Sequence, residues 1–440
     1  MQFTDRNIVK ITMPVLVSLL MEHLISLTDT AYLGRVGEVE LGASALAGVY
    51  YLVIYMLGFG FSIGAQVLIA RRNGEGNYHR IGEIFTQGTF FLLIFAAVLF
   101  ISSRLFSPVI LETIIESSDV YRATLDYLGW RIYGFFFAFI SVMFRAFYVG
   151  TTNTRTLTAN SIVMVGTNIV LNYILIFGKL GLPALGIKGA AIASVVSEAV
   201  SVVFFIVYTY RKVDYRKYGM FVLGKIKWRE LKQILSVSVW VMIQDGITFL
   251  AWFMFFIAIE HLGERPLAIT NIIRSLSGFL FMFVNAFAST CSSLTSNLIG
   301  AGRPDEVMPL CRRMIRLCFY FVVPTGIFFA VFPSLVLGVY TDNPELIEAS
   351  IPSLWVMLSS YILQVPAFIY FFCVSGTGNT KVALRLEIMS IAVYMAYTYY
   401  IARYLMADVA VCWTTDHVYF LMMFSSYIYM LKGNWRLKKI

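Results

Sequence analysis

The sequence predicts an all-α integral membrane protein with twelve transmembrane helices, six in each half of the chain. Three observations predict this fold: the composition, two pairs of repeated turns, and the distribution of charge. Of the 440 residues, 59% are hydrophobic and only 13% are charged, and the mean hydropathy is +0.76. Soluble domains of this length carry far more charge, so most of the chain is expected to lie in a bilayer.

Two turn motifs occur twice at one spacing. Gly74-Glu75-Gly76 recurs as Gly300-Ala301-Gly302, and Gly150-Thr151-Thr152-Asn153-Thr154 recurs as Gly376-Thr377-Gly378-Asn379-Thr380. Both offsets, 300 − 74 and 376 − 150, are 226 residues, nearly half the chain. A repeat of this length between long apolar segments predicts a duplicated bundle of membrane helices, an architecture shared by many transporters.

Each membrane span needs about 20 mostly apolar residues. Twelve such segments are present, near residues 8–33, 42–70, 81–103, 123–149, 156–177, 187–210, 231–260, 266–298, 309–332, 346–374, 382–404 and 409–431. The longest polar connection follows the sixth segment. We therefore expect an N-terminal lobe at 1–212, a cytoplasmic linker at 213–230 and a C-terminal lobe at 231–440.

Charge in the connections orients the helices, because Lys and Arg accumulate in short cytoplasmic loops. Bases are concentrated in the linker, in the turn after the second span and in the C-terminal tail: Arg71, Arg72, Arg80, Arg211, Lys212, Arg216, Lys217, Lys225, Lys227, Arg229, Lys232, Lys432, Arg436, Lys438 and Lys439. The stretches 105–119 and 333–350 contain acids and no base, so they are expected outside. Both termini then lie in the cytoplasm, with the chain in the inner cell membrane. These loops account for the net charge of +9, and no nucleic-acid partner is expected.

Polar side chains on three predicted helices could meet inside the bilayer. Asp29 lies toward the outer end of the first span, about 22 Å beyond Pro14, where on its own it could equally be a hydrated interface residue. Asn168 and Asn172 share one face of the fifth span, and Ser194 lies on the sixth. If these spans pack together, amide and hydroxyl oxygens would surround the Asp29 carboxyl in a pocket suited to Na⁺ or a proton.

Further polar residues are candidates for the wall of a cavity. Glu22 lies two helical turns before Asp29, and Gln244 and Asp245 lie in the middle of the seventh span. If Glu22 pairs with Gln244, then Asp29 aligns with Ala251, so the coupling carboxylate is expected in the first half only. Asp245 is the second candidate for such a group, although a structural, hydrogen-bonded aspartate is an equal alternative.

Four arginines lie in or near predicted spans. We expect the long side chains of Arg145 and Arg385 to reach the membrane interface. Arg131 and Arg274 could do the same or could pair with carboxylates in the cavity.

Aromatic and thiol side chains are expected mainly to pack. Tyr133 and Trp252 belong to aromatic runs in the fourth and seventh spans and are candidates for the cavity wall, where flat lipophilic substrates would bind. The five cysteines have no CxxC spacing and no clustered histidine, so neither a disulfide framework nor a metal site is expected from Cys291, Cys311, Cys318, Cys373 and Cys412.

A set of motifs spread over the whole chain points to one family. Besides the repeated turns, they are Pro14, Asp29-Thr30, Leu33-Gly34, Asn168-x-x-x-Asn172, Phe177-Gly178, Pro183, Leu185-Gly186-Ile187 and Gly189-Ala190-Ala191-Ile192-Ala193-Ser194. Together they resemble the multidrug and toxic compound extrusion (MATE) transporters. The resemblance implies two six-helix lobes, related by a pseudo-twofold axis along the membrane normal, that form a V around a central cavity. It also implies drug export driven by inward movement of Na⁺ or H⁺.

The resemblance also implies a cation site in the first lobe. Some relatives build it from an aspartate of the first span, two polar residues of the fifth and a hydroxyl of the sixth, which correspond here to Asp29, Asn168, Asn172 and Ser194. Asn172 stands where some relatives have an aspartate, so one charge is missing. If the chain is Na⁺-coupled, Asp29, Asn168 and Asn172 would bind the ion. With either coupling ion, we expect Pro14 to be the hinge of the first span, because binding at Asp29 would favour one bend of that span and the substrate the other.

Other relatives carry coupling carboxylates in the seventh and tenth spans. The matching positions here are Gln244 and Gln364, so a second carboxylate site is not expected unless Asp245 substitutes.

These observations predict a secondary antiporter that exports lipophilic, cationic drugs or toxic compounds in exchange for Na⁺ or H⁺ by alternating access. The alternative within transport is a flippase for lipid-linked oligosaccharides, which would need a more basic cavity for diphosphate groups. No HExxH, paired catalytic carboxylates or nucleophile with a base is present, so we do not expect an enzyme. We expect no cofactor other than Na⁺ as a coupling ion. The expected partners are a small-molecule substrate, the coupling ion and the lipid bilayer, with a monomeric chain.

Overall fold

The computed structural model describes residues 3–221 and 227–437, and these contain helices and turns but no β-strand. In chain order the helices are α1 (Asp5–Leu33), α2 (Glu38–Gly74), α3 (Tyr78–Ile114), α4 (Ser118–Arg131), α5 (Gly134–Gly150), α6 (Arg155–Phe177), α7 (Gly186–Lys212), α8 (Trp228–Glu260), α9 (Glu264–Gly300), α10 (Val307–Val331), α11 (Pro333–Leu337), α12 (Pro344–Gly376), α13 (Thr380–Thr398), α14 (Val409–Cys412), α15 (Thr415–Met423) and α16 (Ser425–Lys432). Lys225, Lys438 and Lys439, which contributed to the predicted charge asymmetry, lie outside the described residues.

The predicted all-α membrane fold is confirmed. Within the described ranges, nine helices are long and apolar enough to cross a membrane, or ten if α4 and α5 form one bent span. The eleventh predicted span, 382–404, corresponds to α13 followed by the π-helical turn Tyr399–Tyr404. The twelfth, 409–431, is not one continuous helix, because turns at 413–414 and at Phe424 divide it into α14, α15 and α16.

The described residues form two compact units. The N-terminal unit comprises residues 14–242, and the C-terminal unit comprises the residues up to 13 together with those from 243 onward. Both boundaries lie inside helices, at Pro14 of α1 and between Met242 and Ile243 of α8. These boundaries differ from the expected lobes, 1–212 and 231–440, whose division stays a prediction.

The start of α8 belongs to the N-terminal unit because it packs directly on α2. The Ser238 hydroxyl donates a hydrogen bond to the carbonyl oxygen of Phe61 over 2.9 Å. A Cβ atom at Gly64 would lie only 2.2 Å from the Ser238 Oγ atom, so the absence of a side chain at Gly64 permits the contact. Lys227, which directly precedes α8, donates hydrogen bonds to Glu83 and Gln87 of α3.

The fourth predicted span contains a bend that positions an arginine. The axes of α4 and α5 differ by 52° across a break at 132–133. Around the break, the amides of Tyr133 and Phe135 donate to carbonyls three residues back instead of four. A Cβ atom at Gly134 would lie 2.3 Å from an Arg131 nitrogen and 2.4 Å from a Glu198 oxygen. The glycine therefore leaves room for these two side chains.

Helices α6 and α7 approach each other closely, as the glycine- and alanine-rich start of α7 predicts. A Cβ atom at Gly189 would lie 2.6 Å from the carbonyl oxygen of Leu175. Small residues at such positions allow two helix backbones to come together. This packing brings the polar residues of the fifth and sixth predicted spans within hydrogen-bonding distance.

Candidate cation site and adjoining cavity

Four polar side chains from α1, α6 and α7 form a closed ring of hydrogen bonds. The Asn172 amide nitrogen donates to one oxygen of Asp29 and, over 2.9 Å, to the side-chain oxygen of Asn168. Asn168 then donates to the Ser194 hydroxyl over 3.4 Å, and that hydroxyl donates to the other Asp29 oxygen over 3.5 Å. The sequence named these same four residues, and the structure brings them together.

The ring contains an unused acceptor. Asn168 and Asn172 are both 0% exposed, so their amide groups have no access to solvent. Asn172 uses its nitrogen for two donations, while its side-chain oxygen is buried without a hydrogen-bond partner. A buried oxygen without a partner costs free energy, typically about 1–3 kcal/mol, unless something binds it. The site therefore offers oxygen ligands and one carboxylate, which is the ligand set of a hard cation.

A cavity of about 990 Å³ lies within the N-terminal unit and reaches this ring. Asp29, Asn168 and Ser194 form part of its wall. The ionisable residues on the wall include four carboxyl groups but only two arginines: Glu22, Asp29, Glu38, Glu198, Arg131 and Arg145. With all six ionised the wall is net negative, which favours a cation over an anion in the cavity.

One of the two arginines is held in a bidentate ion pair. Arg131 donates to both carboxylate oxygens of Glu198, over 2.9 and 2.7 Å. Its guanidinium carbon lies 3.6 Å from the ring centroid of Tyr51, whose hydroxyl also donates to Glu198. Of the two alternatives that the sequence left open for Arg131, pairing with a carboxylate is the observed one.

Arg145 corrects an expectation. We expected its side chain to reach the membrane interface, but the residue is only 8% exposed and pairs with Glu22 over 3.4 Å. Helix α5 lies along the cavity wall after the bend from α4, and there the Arg145 side chain meets a carboxylate of α1. The Ser18 hydroxyl also donates to Glu22 over 3.4 Å, and Glu22 lies on the wall of the cavity in the N-terminal unit.

The predicted candidates of the second half lie in the C-terminal unit. Gln244 and Gln364 are buried, and the side-chain oxygen of Gln244 has no hydrogen-bond partner. One carboxylate oxygen of Asp245 is likewise buried and unpartnered. Trp252 is 42% exposed and does not line the cavity of the N-terminal unit, nor does Tyr133, which is 43% exposed. Roles for all five residues in binding substrate stay predictions.

Sequence reasoning missed one buried acid. Glu387 of α13 is 2% exposed and accepts hydrogen bonds from Thr248 over 2.8 Å and from Tyr419 over 2.6 Å. These partners are more than thirty residues away along the chain in both directions. The only available signal was an acid inside the eleventh predicted span, where ionisable groups are costly.

The cysteines also differ from expectation. Three of the five, Cys291, Cys311 and Cys373, place their sulfur atoms within 4.8 Å of one another, although no sequence spacing indicated a cluster. They come from three different helices, α9, α10 and α12, and only the packing of those helices brings them together.

Comparison with known proteins agrees with the fold and with the duplication. The sequence profile of the MatE family matches residues 14–174 and again residues 241–401, so each half of the chain matches it once. A protein of Thermotoga maritima named "Probable multidrug resistance protein NorM" is 25% identical over 390 residues, which cover 88% of this chain and 83% of that protein. A protein of the same name from Neisseria meningitidis serogroup B is 23% identical over 433 residues, covering 93% and 94%.

Solved structures share the whole fold. A crystal structure of MATE in complex with MaL6 superposes with a TM-score of 0.91 at 18% identity, covering 99% of this chain and 97% of the other. The outward-facing conformation of a multidrug resistance MATE family transporter of the MOP superfamily gives a TM-score of 0.90, also at 18% identity and with the same coverage. At 18% identity these structures establish the fold of this chain, but not what it binds.

Proposed function

Because this chain belongs to the MatE family of membrane transporters, we propose that it is a secondary antiporter that exports lipophilic, cationic compounds in exchange for Na⁺ or H⁺. The observation that carries the proposal is the ring of Asp29, Asn168, Asn172 and Ser194 beside the cavity of the N-terminal unit. It combines a single carboxylate with a buried amide oxygen that has no partner in the protein.

The ring gives the coupling ion a binding site of suitable chemistry. In the observed arrangement Asp29 accepts two hydrogen bonds, as an ionised carboxylate does. A Na⁺ ion would bind Asp29 and the side-chain oxygens of Asn168 and Asn172, whereas a proton would bind Asp29 alone. Either cation neutralises the carboxylate and changes the hydrogen bonds that join α1 to α6 and α7.

Coupling requires two conformations with different affinities for each ligand. We propose that α1 provides them through Pro14, which lacks the amide hydrogen that would complete the helix at this turn. The boundary between the two compact units falls at this residue. Binding of the cation at Asp29 favours one bend of α1 and binding of the substrate favours the other.

The cavity supports a cationic rather than an anionic substrate. Its two arginines are already paired, Arg131 with Glu198 and Arg145 with Glu22, so neither is free to bind a diphosphate. A lipid-linked oligosaccharide carries such a group, and the flippase alternative is therefore not favoured. The cavity is also lined by tyrosine rings, including Tyr51 and Tyr55, that can contact a flat cation.

The excess of Lys and Arg in the predicted cytoplasmic loops supports a location in the cell membrane with both termini in the cytoplasm. In a cell with two membranes, we propose the inner one. We propose that the transporter acts as a monomer.

The test is export of a dye by the full chain in lipid vesicles. Rhodamine 6G, a lipophilic cation, serves as the substrate, and Na⁺ and pH gradients are imposed separately. We expect export to follow one of the two gradients in the wild type and to become independent of it in Asp29→Asn. Asp126→Asn is the matched control, because Asp126 is a half-exposed aspartate of the same unit, paired with Lys188.

Two results would contradict the proposal. One is movement of the dye that neither the Na⁺ nor the pH gradient accelerates, as expected of a passive channel. The other is full gradient-driven export by Asp29→Asn at the same amount of protein per vesicle, which would place the coupling group elsewhere.

A further inference from the structure

A cluster of three thiols lies in the C-terminal unit, far along the chain from the proposed cation site. Cys291, Cys311 and Cys373 are each 0% exposed. Their sulfur atoms lie within 4.8 Å of one another, and those of Cys291 and Cys311 are 3.8 Å apart. The Thr295 hydroxyl lies 3.3 Å from the Cys373 sulfur.

Close helix packing holds the cluster in place. A Cβ atom at Gly376 would lie 2.4 Å from the carbonyl oxygen of Ser292, so α12 and α9 nearly touch one residue after Cys291 and three after Cys373. Cys311 comes from the first turns of α10. Because three rigid helices supply one sulfur each, the positions of the sulfurs are fixed before any ligand binds.

The duplicated half provides an internal comparison. At the repeat offset of 226, the three cysteines correspond to Ala65, Phe85 and Phe147. These three residues are buried in the N-terminal unit, where the rings of Phe85 and Phe147 pack edge to face at 6.1 Å. The same helix junction is thus filled by hydrocarbon in one half and by three thiols in the other. Packing alone does not require sulfur at these positions.

We propose that Cys291, Cys311 and Cys373 form a binding site for a soft monovalent metal ion of the Cu(I) class. Thiolates are the ligands that such ions prefer. Three sulfurs around one ion at metal–sulfur distances of about 2.3 Å would be about 4 Å apart, close to the observed spacing of Cys291 and Cys311. A Zn²⁺ ion requires a fourth ligand, and a hydroxyl such as that of Thr295 is a poor one.

Binding of the metal ion releases protons from the thiols and changes the charge of the site. Each metal–sulfur bond replaces a sulfur–hydrogen bond, and the proton leaves to solvent, so affinity rises with pH. Up to three thiolates and one monovalent cation leave negative charge in a buried site. Once Cys373 is a thiolate, its sulfur can only accept, so the Thr295 hydroxyl 3.3 Å away would donate a hydrogen bond to it and offset part of the negative charge.

The cluster lies near one end of α10 and α12, so an ion arriving from that end has a short distance to travel. Cys373 lies one turn before the end of α12 at Gly376, and Cys311 lies about one turn after the start of α10 at Val307. The loops at this end include the repeated glycine turns, which the charge distribution predicts to be cytoplasmic. Cu(I) and free thiols are both stable in that reducing compartment.

The test is a metal competition on the full chain, purified in detergent without oxygen. Cu(I) is supplied as its complex with bathocuproine disulfonate, and its transfer to the protein is followed by the loss of the complex's absorbance. We expect one Cu(I) per chain, and X-ray absorption should show three sulfur neighbours. Replacing any one of Cys291, Cys311 and Cys373 by Ser should weaken binding by about tenfold or more.

Cys318→Ser and Cys412→Ser are the matched controls, because both cysteines are buried and lie outside the cluster. They should keep the wild-type affinity. The spectrum of the wild type decides the matter if a cluster variant fails to fold. No transfer of Cu(I) to the wild type, neighbours that are mainly nitrogen or oxygen, or equal binding by a folded Cys311→Ser variant would each overturn the proposal. In those cases the thiols only pack.

Discussion

Removal of Arg131 should destabilise the protein far more than removal of an exposed lysine. The Arg131→Met variant loses two charge-assisted hydrogen bonds to Glu198, of 2.9 and 2.7 Å. Bonds of this kind contribute about 1.5–3 kcal/mol each. The side chains of Arg131 and Glu198 are only 12% and 16% exposed, so solvent screens the pair little. Breaking a buried pair costs about 3–5 kcal/mol, mainly because the remaining charge is left without a partner.

The assay is equilibrium unfolding in mixed micelles of detergent and dodecyl sulfate, followed by tryptophan fluorescence. Lys188→Met is the matched control, because Lys188 pairs with Asp126 at 46% and 50% exposure, and should cost at most about 1 kcal/mol. The double variant Arg131→Met with Glu198→Met should recover most of the loss, since no unpaired charge remains. A loss under about 1 kcal/mol in Arg131→Met, or a double variant no more stable than the single one, would refute the reasoning.

Two further predictions concern packing and coupling. Gly64→Ala should lower the free energy of unfolding by about 1–3 kcal/mol, because the new methyl group meets Ser238 of α8. Gly166→Ala is the control: it has open space around it and should be neutral or stabilising. Equal stability of the two variants in the same unfolding assay would contradict this prediction. If export follows the Na⁺ gradient, Asn172→Leu should abolish the Na⁺ dependence of dye export while Asn172→Asp keeps it, because only the second variant retains an oxygen at the site. Na⁺-driven export by a folded Asn172→Leu variant would contradict the proposed role.

Features that repeat along the chain could be predicted from the sequence. The glycine turns and apolar segments identified the duplicated bundle, and the profile matches at 14–174 and 241–401 repeat at nearly the same offset. The candidate site was also predictable in part. Asn168 and Asn172 lie four residues apart, so one helical face must carry both, and a polar pair in an apolar helix needs a partner.

Features that depend on contacts between distant helices could not be predicted. The ion pairs of Arg131 with Glu198 and of Arg145 with Glu22 join residues 67 and 123 positions apart, and arginine alone does not indicate its partner. The bend between α4 and α5 lies inside the fourth predicted span, 123–149, without proline at the break. The three clustered cysteines show no spacing motif in the sequence. Their equivalents in the first half, at the repeat offset, are three buried residues, but this relation does not indicate that the sulfurs meet.

The most direct test of the central claim is the effect of the coupling ion on substrate affinity in the purified chain. If cation and substrate favour different states, each must weaken the other's binding by the same factor. We predict that the dissociation constant of rhodamine 6G, measured by fluorescence anisotropy, rises with Na⁺ or H⁺ concentration in the wild type and in Asp126→Asn. In Asp29→Asn it should stay constant. An equal dependence on the ion in Asp29→Asn and the wild type would contradict the account.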